Sequence, residues 1–234
     1  MTRAVAVIQA RLGSRRFPQK MLADLAGHTL IEWVVRRVQQ STNLDRIVVA
    51  TTREPLDDLL DAECSRLGIE VARGSTNDVL QRFIDALADD PASEVVRVCA
   101  DNPFIDPWCI DQVIREYRDQ KVEYAFNHRP FGDCNYADGF GAEVISRDVL
   151  MSMNTAELST SHREHVTLAI VDETVSAVKH GCRAPSELAR PELSFDIDEP
   201  DDLSRLTDLV VRGKLSIAST AVEVIRAADE HVRA

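Results

Sequence analysis

Hydrophobic positions along this chain follow two alternating rhythms. Short β-rich runs, Ala4 to Gln9, Arg46 to Thr51, Ile69 to Ala72 and Val95 to Ala100, are separated by stretches with the three-to-four spacing of amphipathic helices. Several of these runs are apolar at every position rather than at every second one, as expected of strands covered on both faces. The helices have readable starts. Thr29-Leu-Ile-Glu32 reads as a capping box ahead of Ile31, Val34, Val35 and Val38, and Pro55 suits the first turn of a helix carrying Leu56, Leu59 and Leu60. Ser75 to Asp78 opens a third helix with Val79, Leu80, Phe83, Ile84 and Leu87 on its buried face, and Pro107 begins a fourth through Ile110, Val113 and Ile114 to Tyr117. Strand, helix and strand in repeated succession predict an α/β fold: a mostly parallel, Rossmann-like sheet flanked by helices.

Beyond about residue 120 the rhythm changes. Tyr124 to Phe126 reads as a strand, and Arg129 to Gly139 is dense in turn-forming residues. Further strands are expected at Glu143 to Ser146, Val175 to Lys179 and Leu193 to Ile197, a helix at Ser161 to Val171, and closing helices at Pro200 to Val211 and Ser216 to His231. No repeat or linker divides the sequence, so residues 1–234 read as a single domain, with 127–142 as a projecting β insertion, an inserted β-hairpin excursion. Phe131, Tyr136 and Phe140 on that excursion predict interface anchors and hence a homodimer. Trp33 and Trp108, at helical apolar positions, are expected in the core.

Charge narrows the function classes. The 27 Lys and Arg against 39 Asp and Glu give a net charge of −12, which argues against a nucleic-acid or anionic-membrane binder. Five cysteines, none arranged as CxxC, indicate neither a disulfide framework nor a zinc ribbon, and fit a reducing cytoplasm. The apolar run Ala4 to Ile8 is too short for a signal sequence, and nothing approaches the ~20 apolar residues that span a bilayer. Against this acidic background, residues 1–37 hold seven basic side chains (Arg3, Arg11, Arg15, Arg16, Lys20, Arg36, Arg37) and two acidic ones, a local charge of +5.

Most of these cations follow the first strand, in Ala10-Arg-Leu-Gly13-Ser14-Arg-Arg16-Phe-Pro18-Gln-Lys20. Open α/β sheets bind ligands beyond the carboxyl ends of their strands, so the loop is placed for an anion. It matches neither glycine-rich phosphate fingerprint, so arginine forks and a lysine must hold phosphates in place of an all-backbone nest. Asp101, at another strand end, and Asp198, before a helix, are the carboxylates that Mg²⁺ requires when phosphate oxygens and water complete its octahedron. The alternative for Asp198 is an N-cap, and for Asp201 and Asp202 a match to the helix dipole. His162-Arg-Glu-His165 puts two histidines on one helix face, but it is not H-E-x-x-H and no third ligand is marked, so a metallohydrolase is disfavoured.

Taken together, A-R-x-G-S-x-R-x-P-x-K, Gly74 to Leu80, the strand ending in Asp101 before Pro-x-Ile-Asp-Pro, Arg163-Glu-His-Val-Thr167 and Asp198-x-Pro-x-Asp202 resemble the cytidylyltransferase superfamily. The likeness is nearest to its SpsF-like, spore-coat polysaccharide branch, beside the CMP-sugar-acid synthetases. The resemblance implies a glycosyltransferase-A-like fold and attack of an acceptor oxygen on the α-phosphorus of CTP, releasing pyrophosphate. By position it implies catalytic roles for Arg11, Arg16, Lys20 and Asp101, and nucleotide contacts from Ala10, Arg11, Gly13, Ser14, Lys20, Gly74 and Asp78. The metal ligands would be Asp101 and Asp198. A small acidic acceptor, a 2-keto sugar acid or a phosphonate, would meet Arg129, Asp138, Glu143, Arg163 and His165. Glu143, Glu164 and His165 are the candidate bases. Two alternatives stand beside this reading: a glycosyltransferase using a nucleotide sugar, for which Asp196-Ile-Asp198 has the D-x-D spacing, and an inert nucleotide-binding subunit.

Overall fold

The computed structural model describes residues 3–87, 90–128 and 134–233. In chain order its elements are β1 (Ala4–Gln9), β2 (Asp24–Leu25), β3 (His28–Thr29), α1 (Leu30–Val38), β4 (Arg46–Thr52), α2 (Asp58–Arg66), β5 (Glu70–Gly74), α3 (Val79–Leu87), β6 (Glu94–Cys99) and α4 (Pro107–Gln120). Then come β7 (Tyr124–Phe126), β8 (Glu143–Ser146), α5 (Arg147–Thr155), α6 (Thr160–Glu164), α7 (Leu168–Val171), β9 (Lys179–Gly181), α8 (Pro200–Gly213) and α9 (Ala221–Arg233). Seven strands form one sheet in the order β5-β4-β1-β6-β8-β7-β9. Its first four strands are parallel, β8 is antiparallel to both neighbours, and β9 runs parallel to β7. The mostly parallel α/β sheet flanked by helices is thus the observed architecture. No helix among the described residues is long and apolar enough to cross a membrane.

The continuous apolar runs explain the two layers. In β1, Ala4, Ala6 and Ile8 belong to one buried cluster while Val5 and Val7 belong to the other, because successive side chains of a strand leave opposite faces. The first cluster packs α1, α4, α8 and α9 against the sheet, and the second packs α3, α5 and α7. Helix α1 starts where its sequence indicates, with the Thr29 hydroxyl accepting from Glu32 N at 3.2 Å.

Five expectations are corrected. The segment read as one helix from Ser161 to Val171 is two, because Val166 takes a left-handed backbone (φ 40°) that re-aims the chain between α6 and α7. The strand expected at Val175 to Lys179 lies at Lys179–Gly181, where the register Tyr124↔Lys179 on β7 fixes it. Among the described residues Leu193 to Ile197 pairs with no strand and makes only the bridge Ser194↔Asp138. Its amides are spent on loops: Phe195 N donates to Asp138 O at 3.0 Å and Ile197 N to Asp101 O at 2.9 Å. The described part of 127–142 forms no hairpin beyond that bridge, and Arg129 to Asp133 lie outside the described residues. Tyr136 and Phe140 are buried rather than projecting, Phe140 packing on Phe195 at 5.3 Å between ring centroids. Gly139 permits this approach: its φ is 101°, and a Cβ there would stand 2.8 Å from Phe195 Cβ. Of the two tryptophans Trp33 is core, whereas Trp108, in the first turn of α4, is 45% exposed.

Candidate active site

At the carboxyl ends of β1 and β6 lies a cleft of about 290 Å³. It is lined by Ala10, Arg11, Ser14, Arg16, Lys20, Arg82, Asp101, Glu164, His165 and Asp198, among others. The loop after β1 reaches it because both ends are pinned. Leu12 is fully buried, its amide donates to Asp57 Oδ1 at 2.7 Å, and its carbonyl accepts from Gln19 N at 2.9 Å. Gln19 takes a left-handed backbone (φ 58°), and the single helical turn Lys20–Leu22 then buries Met21 and turns Lys20 inward.

Lys20 is the hub. Its Nζ lies 2.8 Å from Ile197 O, 3.2 Å from Asp198 Oδ1 and 3.5 Å from Asp101 Oδ2. Arg16 reaches Asp198 Oδ2 at 2.7 Å. Asp198 is not the cap of α8, as its alternative reading held. That position belongs to Glu199, and Asp202 Oδ2 accepts from the amides of Asp198 and Glu199, leaving the Asp198 carboxylate turned to the cleft. Two carboxylates that converge on one cationic nitrogen are also suited to a single divalent ion.

A second cation was not anticipated. Arg82, on α3, is 3% exposed and lines the cleft; its guanidinium donates to Ser75 O at 2.7 Å and Thr76 O at 3.2 Å, and its Nε has no partner. Burial and then the facing charge of Arg11 push its pKa below the usual arginine value, against the opposing pull of Asp57 and Asp78. The sequence carried a signal: an arginine three residues after Val79 on an otherwise apolar helix face. Arg11 itself lies 3.8 Å from Glu164 and 3.4 Å from Thr76 O. The cleft thus holds Arg11, Arg16, Lys20 and Arg82 against three carboxylates, in a chain of net charge −12.

Not every expected residue gathers there. Ala10 and Ser14 do, the Ser14 hydroxyl accepting from Phe17 N at 3.3 Å. Gly13 borders a separate hollow with Thr52 and Thr76, and neither a left-handed backbone nor a close neighbour requires glycine there. Gly74 acts through packing: a Cβ on it would lie 2.9 Å from Arg82 Cγ. Asp78 accepts from Gln81 N as the first turn of α3 begins, and pairs with Arg163 at 2.6 Å. Asp78 and Arg163, expected at the nucleotide and the acceptor, are thus joined to one another by an ion pair, with Arg163 also donating to Asn154 at 3.2 Å.

Glu143 is 1% exposed and held by Arg97 at 2.5 Å, Tyr124 at 2.9 Å and His128 at 3.1 Å, so it is no free base. Asp138 is exposed, yet the desolvation its surroundings impose, followed by the charge of Asp196, raises its pKa. Arg129 lies outside the described residues. His162 is engaged with Asp172 at 2.7 Å, apart from cleft-lining His165. Of the seven N-terminal cations three line the cleft. Arg37 is 1% exposed elsewhere, donating to the carbonyls of Ile105, Ile217 and Ser219. A larger, mainly apolar cavity of about 360 Å³ beside Trp108 and Leu188 contains Asp106, which is occupied in accepting from the amides of Trp108, Cys109 and Ala221.

Residues 5–178 match the family model described as cytidylyltransferase. The spore coat polysaccharide biosynthesis protein SpsF of Bacillus subtilis is 32% identical over 209 residues, covering 87% of this chain and 84% of that one. A 3-deoxy-manno-octulosonate cytidylyltransferase of Anaeromyxobacter is 32% identical over 91% of this chain and 99% of its own. Among solved structures, a cytidylyltransferase from Leptospira borgpetersenii superposes with a TM-score of 0.90 at 25% identity, covering 100% of this chain and 96% of that one.

Proposed function

The chain belongs to the cytidylyltransferase family and is a nucleotidyltransferase, and from that premise we propose that it transfers CMP from CTP to a small acidic acceptor, with Mg²⁺ as cofactor and pyrophosphate as leaving group. The observation that carries this reading is the meeting of Asp101 and Asp198 on the Lys20 ammonium, at the floor of a cleft walled by three arginines. A hard cation takes such a carboxylate pair and fills its remaining positions with phosphate oxygens and water. Held by Asp101 and Asp198, Mg²⁺ would supply the positive charge that offsets what builds on the α-phosphate and the departing pyrophosphate.

The protein's own groups do the rest. Arg16 and Lys20 exchange carboxylate for phosphate oxygens when a triphosphate enters, which frees Asp101 and Asp198 for the ion. Arg82 offers its unpartnered Nε from a fixed, desolvated position, where a preorganised donor is worth most. Arg11 closes the row from the loop after β1. For the acceptor, Glu164 and His165 are the cleft-lining groups able to take a hydroxyl proton. A sugar acid is favoured over a phosphonate because the Anaeromyxobacter relative is a 3-deoxy-manno-octulosonate cytidylyltransferase. The name of the Bacillus relative adds a role in polysaccharide biosynthesis for the activated product. Family membership gives no support to the nucleotide-sugar glycosyltransferase or the inert subunit.

The test is pyrophosphate release from each NTP with Mg²⁺ and a panel of sugar acids, phosphonates and neutral sugars. We expect turnover with CTP and a keto-deoxy sugar acid, abolished by EDTA and by Asp101→Asn or Asp198→Asn. A preference for neutral sugars, or activity indifferent to EDTA, would overturn the acceptor or the metal assignment respectively.

A further inference from the structure

Far from the cleft, at the outer edge of the sheet, three side chains of different chemistry converge. Glu116 belongs to α4, His180 to the edge strand β9, and Cys182 follows it, its amide donating to Phe126 O of β7 at 2.8 Å. His180 Nε2 lies 2.7 Å from Glu116 Oε2, and one ligand atom from each of the three lies within 4.8 Å of the others. We propose that Glu116, His180 and Cys182 bind a divalent cation of the zinc class.

The chemistry of the donors selects the ion. One thiolate and one carboxylate neutralise two positive charges, and the imidazole joins uncharged, so a partly buried site of no net charge results. A mixed S, N and O set suits Zn²⁺ or Co²⁺ and disfavours Mg²⁺, which takes oxygen ligands. Tetrahedral bonds of about 2.0–2.3 Å place donors roughly 3.5 Å apart, so the present spacing needs only a small rotamer contraction.

An independent observation points to the same place. The Tyr136 hydroxyl is buried and has no hydrogen-bond partner among the described residues. Cys134 Sγ lies 3.6 Å from the same Phe126 carbonyl that receives the Cys182 amide. Cys134 is therefore at hand as a further donor. An ion there would clasp α4, the sheet edge and the segment that leads on to Asp138 and Gly139, and none of its three ligands lines the cleft.

The experiment uses the tag-free protein, stripped of metal and kept reduced, titrated with Co²⁺ under visible spectroscopy and with Zn²⁺ against a chromophoric chelator. The expected result is one ion per chain, with the intense bands of tetrahedral cobalt and a thiolate charge-transfer band. That band is lost in Cys182→Ser, and Zn²⁺ affinity falls at least tenfold in His180→Gln, whose partly exposed side chain makes it the safer variant for folding. Asp101→Asn must leave both signals unchanged. A six-coordinate, water-like cobalt spectrum, or His180→Gln binding Zn²⁺ as tightly as the parent, would overturn the assignment.

Discussion

Lys20 touches two carboxylates and one carbonyl while only 9% exposed, so its removal takes more than a surface charge. A charge-assisted contact to a shielded phosphate is worth about 1.5–3 kcal/mol. Lys20→Ala should therefore lower kcat/KM for the nucleotide by more than tenfold, read from initial rates of pyrophosphate release. Asp138 makes a pH prediction of definite sign. Desolvation raises its folded-state pKa above the unfolded value, so the native state binds the extra proton, and stability falls as pH rises through the interval between the two. Above that interval the partly desolvated charge is a standing cost, reduced by the solvent that reaches it. Asp138→Asn keeps an oxygen for the Gly139 amide and should melt higher than the parent at neutral pH, with the difference vanishing in acid; equal melting temperatures at pH 7 would count against it.

Elements position these groups. Helix α3 packs on β5 at Gly74, where a Cβ would stand 2.9 Å from Arg82 Cγ and 3.5 Å from its Cα. Overpacking of this kind costs about 1–3 kcal/mol, and here the strain falls on a cleft residue. Gly74→Ala should therefore raise KM for the nucleotide as well as lower the melting temperature; a lower melting temperature with unchanged KM would divorce Arg82 from the ligand. The same elements show what was legible beforehand. The strands β1, β7 and β8 have the bounds their sequences suggest, because local apolar runs and turn formers specify them. Strand β9 was misplaced since its register is set by Tyr124 to Phe126, more than fifty residues earlier. Asp101, Lys20 and Asp198 were legible from motif order, whereas the Asp78–Arg163 pair, 85 residues apart, was not, because charge complementarity between distant segments leaves no local pattern. Arg82 was passed over because its neighbours Leu80 and Phe83 made the whole face look like core.

For the molecule as a whole, Arg37 joins regions distant in sequence. Nearly inaccessible, it donates from α1 to the turn before α4 and to the residues ahead of α9. Truncating such a clamp leaves several buried carbonyls and Asp106, 3.7 Å away, without their donor. Arg37→Ala should cost roughly 3–5 kcal/mol, a drop on the order of 6–20 °C in Tm for a chain of this size, measured by calorimetry. A homodimer remains a proposal that needs another interface, since Tyr136 and Phe140 are committed to the core. Light scattering at micromolar concentration decides it. The Lys20–Asp198 contact, finally, spans 178 positions of the chain. Contacts of such separation are slow to form, and the strands β1, β4, β5 and β6 leave the ribosome well before Asp198 is synthesised. Competence is thus acquired late in the life of the nascent chain. On dilution from denaturant, far-UV dichroism should recover ahead of fluorescent-nucleotide binding, and the lag between them is the time the C-terminal third takes to bring its carboxylate to a waiting ammonium.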